Sequence, residues 1–485
     1  MRALTALLFL ALAAYADIFN QKTILVGDKG AALGGAYAGV ADDATATYYN
    51  PAGLMQIQNI KLNVSAQIVQ YQQQEIQIAP GALIPYNSFN FTPSITAFSQ
   101  RMGNWAYGFS IVTPVNDLFR GEQQIEAAYR DTAYDDGPCV AAPGDTPCYT
   151  RLNLSYYDVS KINYIGPSVA FKFSETISLG ATVYGIYYTQ LEKTAFGGWD
   201  ANYVGGDPND LSRWHESLVT RSVNQTGLGL TGNFGILVKM SPELSLGVSA
   251  SPGSMVFIDR REEQRSEDFF NDSLRLVEPG QTDTIKTQAI IYNLDRQVKH
   301  TEISAPRLSV GVSWKPWSRL MLTGQTDYVL GSLYSYTGFS PVTSRKIRSG
   351  FEYNAPEEKH YTVEKQSVLN FAGGMDLRLT KVYSVAAGGF TDFSQGPYED
   401  RPSSWNRRID YYGFTFSVGM DKEFTQSRFG CTASWGDAAI SHFQWTKDSG
   451  GQPVLATDVN GRILRVRRNF DAFNFGILLS SNLKI

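Results

Sequence analysis

Nucleophiles, bases and metal ligands are the residue types from which chemistry is built, and in this 485-residue chain they do not assemble. The four histidines, His215, His300, His360 and His442, stand singly, without the His-x-x-x-His or Cys-x-x-Cys spacing of a zinc site. No Gly-x-Ser-x-Gly elbow presents a serine for acyl transfer. The residues therefore point to no enzyme, no metal and no cofactor. The acidic pairs Asp135-Asp136 and Glu262-Glu263 fall in expected loops, where they could hold a divalent cation or serve as solvated charge. A formal net charge of -4 offers nothing basic enough for nucleic acid.

The spacing that stands out belongs to small residues. Gly30, Ala31, Ala32, Gly34, Gly35, Ala36, Ala38 and Gly39 let a backbone run close to a wall, and Asn50-Pro51 with Gly53 stops any helix. Such a stretch suits a compact plug. Its glycines are not a phosphate loop, because no Gly-Lys-Ser/Thr follows.

The elements around this stretch are those of an exported β protein. Met1-Arg2, the apolar run Leu4 to Ala14 and the Ala14-Tyr15-Ala16 site read as a signal peptide over residues 1–16. Beyond it no run reaches the ~18 apolar residues of a spanning helix. From residue 61 apolarity alternates with period two, as in Val169, Phe171 and Phe173, then Ile177, Leu179, Ala181 and Val183. Strands are expected near 61–72, 93–101, 105–115, 160–173, 177–190, 226–239, 244–258, 303–315, 319–330, 366–379, 382–393, 410–421, 428–437 and 470–485. The linkers between them alternate long and short, the pattern of outer-membrane barrels, and a mean hydropathy of -0.21 fits strands that face lipid on one side only. Trp105, Tyr107, Tyr187, Tyr188, Trp314, Trp317, Tyr411 and Tyr412 are expected in aromatic girdles at the membrane interfaces.

Three motifs, Gly34 to Tyr37 (Gly-Gly-Ala-Tyr), Ala41 to Asp43 (Ala-Asp-Asp) and Asn50 to Gly53 (Asn-Pro-Ala-Gly), resemble the N-terminal segment of the FadL-type family of outer-membrane transporters for long-chain fatty acids and similar hydrophobic compounds. In that family the segment is a hatch inside a barrel. The resemblance implies an all-β protein, a transmembrane antiparallel β-barrel of about 14 strands spanning residues 61–485, with residues 17–60 as the hatch. It implies gating by Asn50, Pro51, Ala52 and Gly53, and hatch packing by Gly34, Gly35, Asp42 and Asp43. The implied partners are fatty acid-like small molecules and outer-membrane lipid, around a monomer in the bacterial outer membrane that admits its substrate passively. Which lumenal residues touch the ligand is not assigned. Ile485 departs from the terminal aromatic usual in such barrels. A barrel of the same kind that no longer transports and instead anchors or assembles surface proteins is the alternative, and the long linkers 116–159 and 259–302 suit it.

Cys139 and Cys148 lie eight residues apart in a Pro/Gly/Asp-rich stretch, whereas Cys431 is alone in an expected strand. In an oxidising export compartment the close pair is most simply a loop disulfide, contributing roughly 2 to 3 kcal/mol through the unfolded state. Mass spectrometry of the unreduced protein should show one Cys139–Cys148 bridge and a free Cys431; a bridge to Cys431 would contradict this assignment.

Overall fold

In the strand Arg307–Trp317 the side chains of Leu308, Val310 and Val312 are exposed while Ser309, Gly311 and Ser313 are buried. This polarity is the reverse of a soluble sheet, and it organises the whole molecule. A computed structural model of the chain describes residues 20, 24–57, 61–79, 82–129, 148–201, 214–270, 288–297, 305–339, 344–347, 350–353, 358–396, 408–443, 445–447, 453–455 and 465–484.

The strands in chain order are β1 (Lys61–Ala79), β2 (Ala82–Met102), β3 (Trp105–Tyr129), β4 (Cys148–Lys172), β5 (Ile177–Ala201) and β6 (Trp214–Lys239). Next come β7 (Leu244–Ser251), β8 (Met255–Phe270), β9 (Gln288–Gln297), β10 (Arg307–Trp317) and β11 (Leu320–Val329). The hairpins β12 (Ser332–Phe339) with β15 (Glu358–Lys365), and β13 (Ser344–Ile347) with β14 (Gly350–Tyr353), stand outside the main sheet. The remainder are β16 (Val368–Arg378), β17 (Tyr383–Asp392), β18 (Arg408–Asp421), β19 (Thr425–Phe443), the short β20 (Trp445–Lys447) and β21 (Pro453–Leu455), and β22 (Arg465–Lys484).

Antiparallel pairing runs from β1 through β6, on through β7, β10, β11, β16, β17, β18 and β19 to β22, and β22 pairs back with β1 from Lys61↔Lys484 to Gln74↔Ala472. The result is a closed barrel of 14 strands, in which β8 prolongs β7 beyond a break at 252–254 and β9 pairs with β8 alone. Closure satisfies every edge, the condition for a sheet to stand in lipid. No helix among the described residues is long and apolar enough to cross a membrane.

Each expected strand overlaps one of these elements, with ends that differ by a few residues and with 244–258 divided between β7 and β8, but four expected long linkers are strand wherever they are described. Residues 73–79, 82–92, 116–129, 148–159, 191–201, 214–225, 259–270 and 288–297 are strand, because the hairpins continue well past the apolar belt; β3 and β4 pair as far as Tyr129↔Cys148. Polar strand continuations carry no apolar alternation and so read as loops in sequence. Glu262 and Glu263 are consequently successive residues of β8, which face opposite sides of a sheet and cannot converge on one cation. His215, His360 and His442 lie on β6, β15 and β19, whereas His300, Asp135, Asp136 and Cys139 lie outside the described residues. The expected disulfide is thus also outside them; Cys431 is a free, half-buried thiol. Tyr188 and Tyr411 are buried, 6% and 8% exposed, and do not belong to a girdle: in each Tyr-Tyr pair only the outward partner, Tyr187 or Tyr412, meets the membrane.

A closed barrel of this kind should resist detergent at room temperature. The purified protein is expected to migrate faster on a denaturing gel unheated than boiled, and identical mobility in both states would contradict the closed sheet.

Candidate functional site

Residues 24–57 are nearly all buried, and they are held by the inward faces of strands all round the barrel. Small residues make this possible. Two short helical turns, α1 (Lys29–Ala32) and α2 (Ala46–Tyr49), and a 3-10 turn (Pro51–Gln56) are joined by tight bends at which Gly34 and Gly35 take φ of 66° and 86°. The wall meets the segment with three cross-strand glycine pairs: Gly180 with Gly235, Gly247 with Gly311, and Gly374 with Gly388. Asn50 to Ala52 lies against the first pair, Ala38-Gly39 against the second and Leu33-Gly34 against the third. A Cβ on Gly247 would collide with the Ala38 carbonyl, and one on Gly388 with the Leu33–Gly34 peptide, so backbone meets backbone at both places.

Inward polar side chains complete the segment's hydrogen bonding. Gln325 Oε1 accepts from Tyr37 N (2.9 Å) and Ala38 N (2.8 Å). Thr323 Oγ1 donates to Ala36 O, Thr415 Oγ1 to Ala32 O, Ser245 Oγ to Gly39 O and Asn233 Nδ2 to Tyr48 O, at 2.7–2.9 Å. Buried backbone groups left without partners would cost about 1 to 3 kcal/mol each. Asn50 caps the 3-10 turn: its Oδ1 accepts from Ala52 N at 3.2 Å, and its Nδ2 donates to Ala38 O (2.9 Å) and to Ile236 O of β6 (3.1 Å). Pro51 opens the turn, and Gly53 lies hard against Ala41.

Charge holds the opposite side. Arg428 of β19 donates from Nε to Asp28 Oδ1 (2.9 Å), from Nη1 to Ser417 Oγ (3.2 Å) and from Nη2 to Asp376 Oδ2 (3.2 Å). Asn482 Nδ2 donates to the other Asp28 oxygen at 2.6 Å. Burial pushes the Asp28 carboxyl up to about 6, against the lowering pull of Arg428. Nearby, Lys29 Nζ donates to Asp42 Oδ2 and Tyr37 Oη to Asp42 Oδ1, both at 2.8 Å. Burial alone would raise Asp42, but Lys29, Lys61 and the Tyr37 bond outweigh it and hold it below its usual value. Asp43 is raised by burial and by Asp42; its Oδ1 accepts from Thr45 N and Oγ1, and its Oδ2 has no partner among the described residues.

Beside the segment the wall changes character. The β2–β3 ladder runs from Met102↔Trp105 to Ile95↔Val112 and goes no further, although β2 continues on β1 and β3 on β4. Both neighbouring ladders shift register at this point, between Ser65 and Ala66 and between Val112 and Val115, next to Pro93 and Pro114. Proline cannot donate to a ladder, so the two strands part there. Asn116 Nδ2 donates to Thr92 Oγ1 (2.5 Å) and Asn90 Nδ2 to Asn116 O (3.4 Å), side-chain stitches where backbone bonds are missing.

Inside this parting lies an apolar patch of Ile162, Ile186 and Tyr188 with Val115, Tyr164 and Val256. Tyr164 stacks on Tyr184, centroids 5.6 Å apart, and packs with Tyr48 and Tyr49 of the segment. The guanidinium of inward-facing Arg307 lies 5.8 Å from the centre of the Tyr48 ring. The site thus combines an apolar wall, an aromatic floor and the Arg307 guanidinium, which the buried Asp327 carboxylate of β11 also attracts. Of the residues expected from sequence, the structure places Asn50, Pro51 and Ala52 against β5 and β6, Gly34 against β17, Gly35 in the adjoining bend, Gly53 inside the segment, and Asp42 and Asp43 in the charged cluster. Sequence reading missed Asp28, Arg307 and Arg428, lone charges whose partners are hundreds of residues away, and the glycine pairs, whose only signal is glycine at inward strand positions.

No protein-family model and no curated protein sequence matches this chain. Solved structures do. A Pseudomonas aeruginosa FadL homologue superposes with a TM-score of 0.54 at 14% identity, covering 96% of this chain and 99% of that one. The toluene transporter TbuX of Ralstonia pickettii gives 0.53 at 13% identity over 96% and 100%. The Pseudomonas putida toluene transporter TodX gives 0.53 at 11% identity over 96% and 99%. The chain therefore shares the FadL-like barrel fold, and none of these three is an enzyme by description.

The charged cluster makes docking of the segment depend on pH. Asp28 has a carboxyl raised from 3.8 to about 6 when docked, so between these values the docked state binds the extra proton. Its contribution is complete below 3.8 and is lost as pH rises through about 6. The hydrogen-exchange protection factors of residues 28–35 in the intact barrel, corrected for the intrinsic pH dependence of exchange, should rise between pH 7 and pH 5, and D28N should flatten that response. R428M, which strands Asp28, should loosen the segment at every pH, with a cost of about 3 to 5 kcal/mol; unchanged exchange in R428M would contradict the clamp.

Proposed function

We propose that this protein is an outer-membrane channel for the passive uptake of hydrophobic molecules. Residues 17–60 act as its hatch, after a signal peptide over residues 1–16 and before the barrel of 61–485. The observation that carries this reading is the parting of β2 from β3 directly outside the apolar patch of Ile162, Ile186 and Tyr188. A lipophile captured at the outer loops would settle against that patch, above Tyr48, and leave sideways into the membrane rather than through the charged lower hatch. Nothing in such a path calls for an energy source. The toluene transporters of the same fold support a hydrophobic cargo.

Arg307 refines the cargo. It faces the lumen over Tyr48, so a carboxylate could bond the guanidinium while its chain lies on the apolar patch. A fatty acid-like amphiphile meets both requirements, whereas toluene uses only the second. Asn50 to Gly53 gate by tying the hatch to β5 and β6, and Gly34, Gly35, Asp42 and Asp43 keep it compact. The strand continuations of β3 to β6 and β8 favour one other reading, a non-transporting barrel that presents surface proteins with a platform.

Uptake of labelled oleate and of toluene, in cells matched for surface level, separates these readings. Wild type should exceed the empty strain for at least one lipophile. N50A/P51A should reduce uptake several-fold with heat-modifiable mobility intact. R307Q should lower oleate uptake by about tenfold, as expected for loss of a charged hydrogen bond, and leave toluene unchanged. Wild-type uptake equal to the empty strain for every lipophile would replace the channel with the platform.

A further inference from the structure

The outward faces of β3 to β6 and β8 carry a charge pattern that cargo movement does not use. Register aligns their side chains in rows. The lowest of interest is Asn163, Tyr187, Leu228 and Ile258, whose last three residues are 44–48% exposed and mark the upper rim of the apolar belt. The next outward row up is Asn116, Lys161, Thr189, Thr226 and Arg260. Above it runs Leu118, Val159, Leu191, Asn224 and Glu262, and above that Arg120, Tyr157, Lys193, Ser222 and Gln264. From the exposed Phe173, at the short-turn end, to Asn163 is ten residues, about 33 Å along the strand and roughly 25 Å in height at the ~35–45° tilt of such strands, so the Lys161 row begins where a ~25 Å hydrocarbon band ends.

Cations thus frame an apolar strip at the outer interface. Lys161 and Lys193 have no hydrogen-bonded or ionic partner among the described residues. Arg120 meets Glu122 at 3.5 Å and Arg260 meets Glu262 at 3.0 Å, with all four side chains 47–69% exposed. Such exposed pairs are weak and open readily. Counting both carboxylates, the patch keeps a surplus of two positive charges, although the chain as a whole is acidic.

We infer that Lys161, Lys193, Arg120 and Arg260 form a binding site for the phosphorylated headgroup of outer-leaflet lipopolysaccharide, with Leu118, Val159, Leu191 and Tyr157 covering the apolar strip between its phosphates. The complementarity is specific in height. Lys161 and the weakly paired Arg260 sit immediately above the acyl zone, where the glucosamine phosphates of that lipid lie, and a second tier, Arg120 and Lys193, four residues higher along the strands meets the next anionic groups. The site fastens the side of the barrel on which β2 and β3 part, and it stands whether or not the protein transports.

The test compares full-length wild type with K161Q/K193Q, and with K315Q/K381Q, which changes as many lysines at the opposite end of the barrel. Each is purified in mild detergent and the lipopolysaccharide retained per barrel is measured by native mass spectrometry. Wild type and K315Q/K381Q should retain about one molecule, and K161Q/K193Q should lose at least tenfold. Added lipopolysaccharide should raise the temperature at which the fast gel band is lost for wild type but not for K161Q/K193Q, and phosphatidylglycerol vesicles should have no comparable effect. Equal retention by all three proteins overturns the site, as does an equal shift with phosphatidylglycerol. Correct folding of K161Q/K193Q is read from its fast band without lipid; if that band is absent, K161Q and K193Q singly must each reduce retention or the proposal falls.

Discussion

Backbone meeting backbone at three glycine pairs is the constraint on which the interior depends. Gly180 with Gly235, Gly247 with Gly311, and Gly374 with Gly388 lie on different pairs of neighbouring strands, spread along the wall. Each notch receives a different stretch of the enclosed segment, so no single sliding direction clears them together. An alanine at one notch would press a methyl group into a peptide, and the segment would have to lift along its length. The wall side chains next to the notches, Thr323, Gln325, Asn233 and Ser245, then have defined carbonyls and amides to meet. Movement of the whole enclosed segment would break all of these at once, whereas a change confined to β2 and β3 breaks none of the notches.

Beside the third glycine pair, charge adds to close approach. The clamp at β16, β18, β19 and β22 places Arg428 between Asp28 and Asp376, with Ser417 and Asn482 filling the remaining positions. A buried ion network of this sort adds little net stability, because desolvation offsets most of the attraction. It is demanding in geometry, however, since any displacement of Asp28 leaves a guanidinium and a carboxylate uncompensated. Close fit and electrostatic registration fix the position of a segment that also buries Leu33, Tyr37, Val40, Leu54, Met55 and Ile57 in an apolar cluster.

Legibility in the sequence followed the physics of alternation. Where one face of a strand meets lipid, as in Val169, Phe171 and Phe173 or Leu308, Val310 and Val312, period two is plain and strand positions could be read. Where a strand leaves the membrane both faces are wet, and the continuations of β3 to β6 and β8 looked like loops. Tyr187-Tyr188 and Tyr411-Tyr412 misled for a related reason: neighbouring residues of a strand cannot share a face, so only one of each pair can anchor at the interface. Glycine and alanine between residues 30 and 53 announced a segment made for close contact. Its partners stayed hidden, because Asp28 meets Arg428 across 400 residues and Asn50 meets Ile236 across 186.

The parting of β2 and β3, longer than that of β16 from β17 beyond Ala372↔Phe390, is where the barrel departs furthest, among the described residues, from its own rule. Backbone groups facing hydrocarbon without partners cost several kcal/mol each, so an open ladder in a wall is tolerated only when shielded or used. Here the shielding is partial. Asn90, Thr92 and Asn116 stitch the seam from the side, Ser94 Oγ donates to Ser65 O, and Gly27 N of the enclosed segment approaches Ser94 Oγ at 3.5 Å. That last contact couples the two features, since the enclosed segment touches the seam beside Pro93. Side-chain bonds exchange more easily than a ladder, because each can be replaced singly without shifting a register. On the proposed uptake reading, a wall held in this way would widen for a bulky apolar molecule and reclose with the glycine notches untouched.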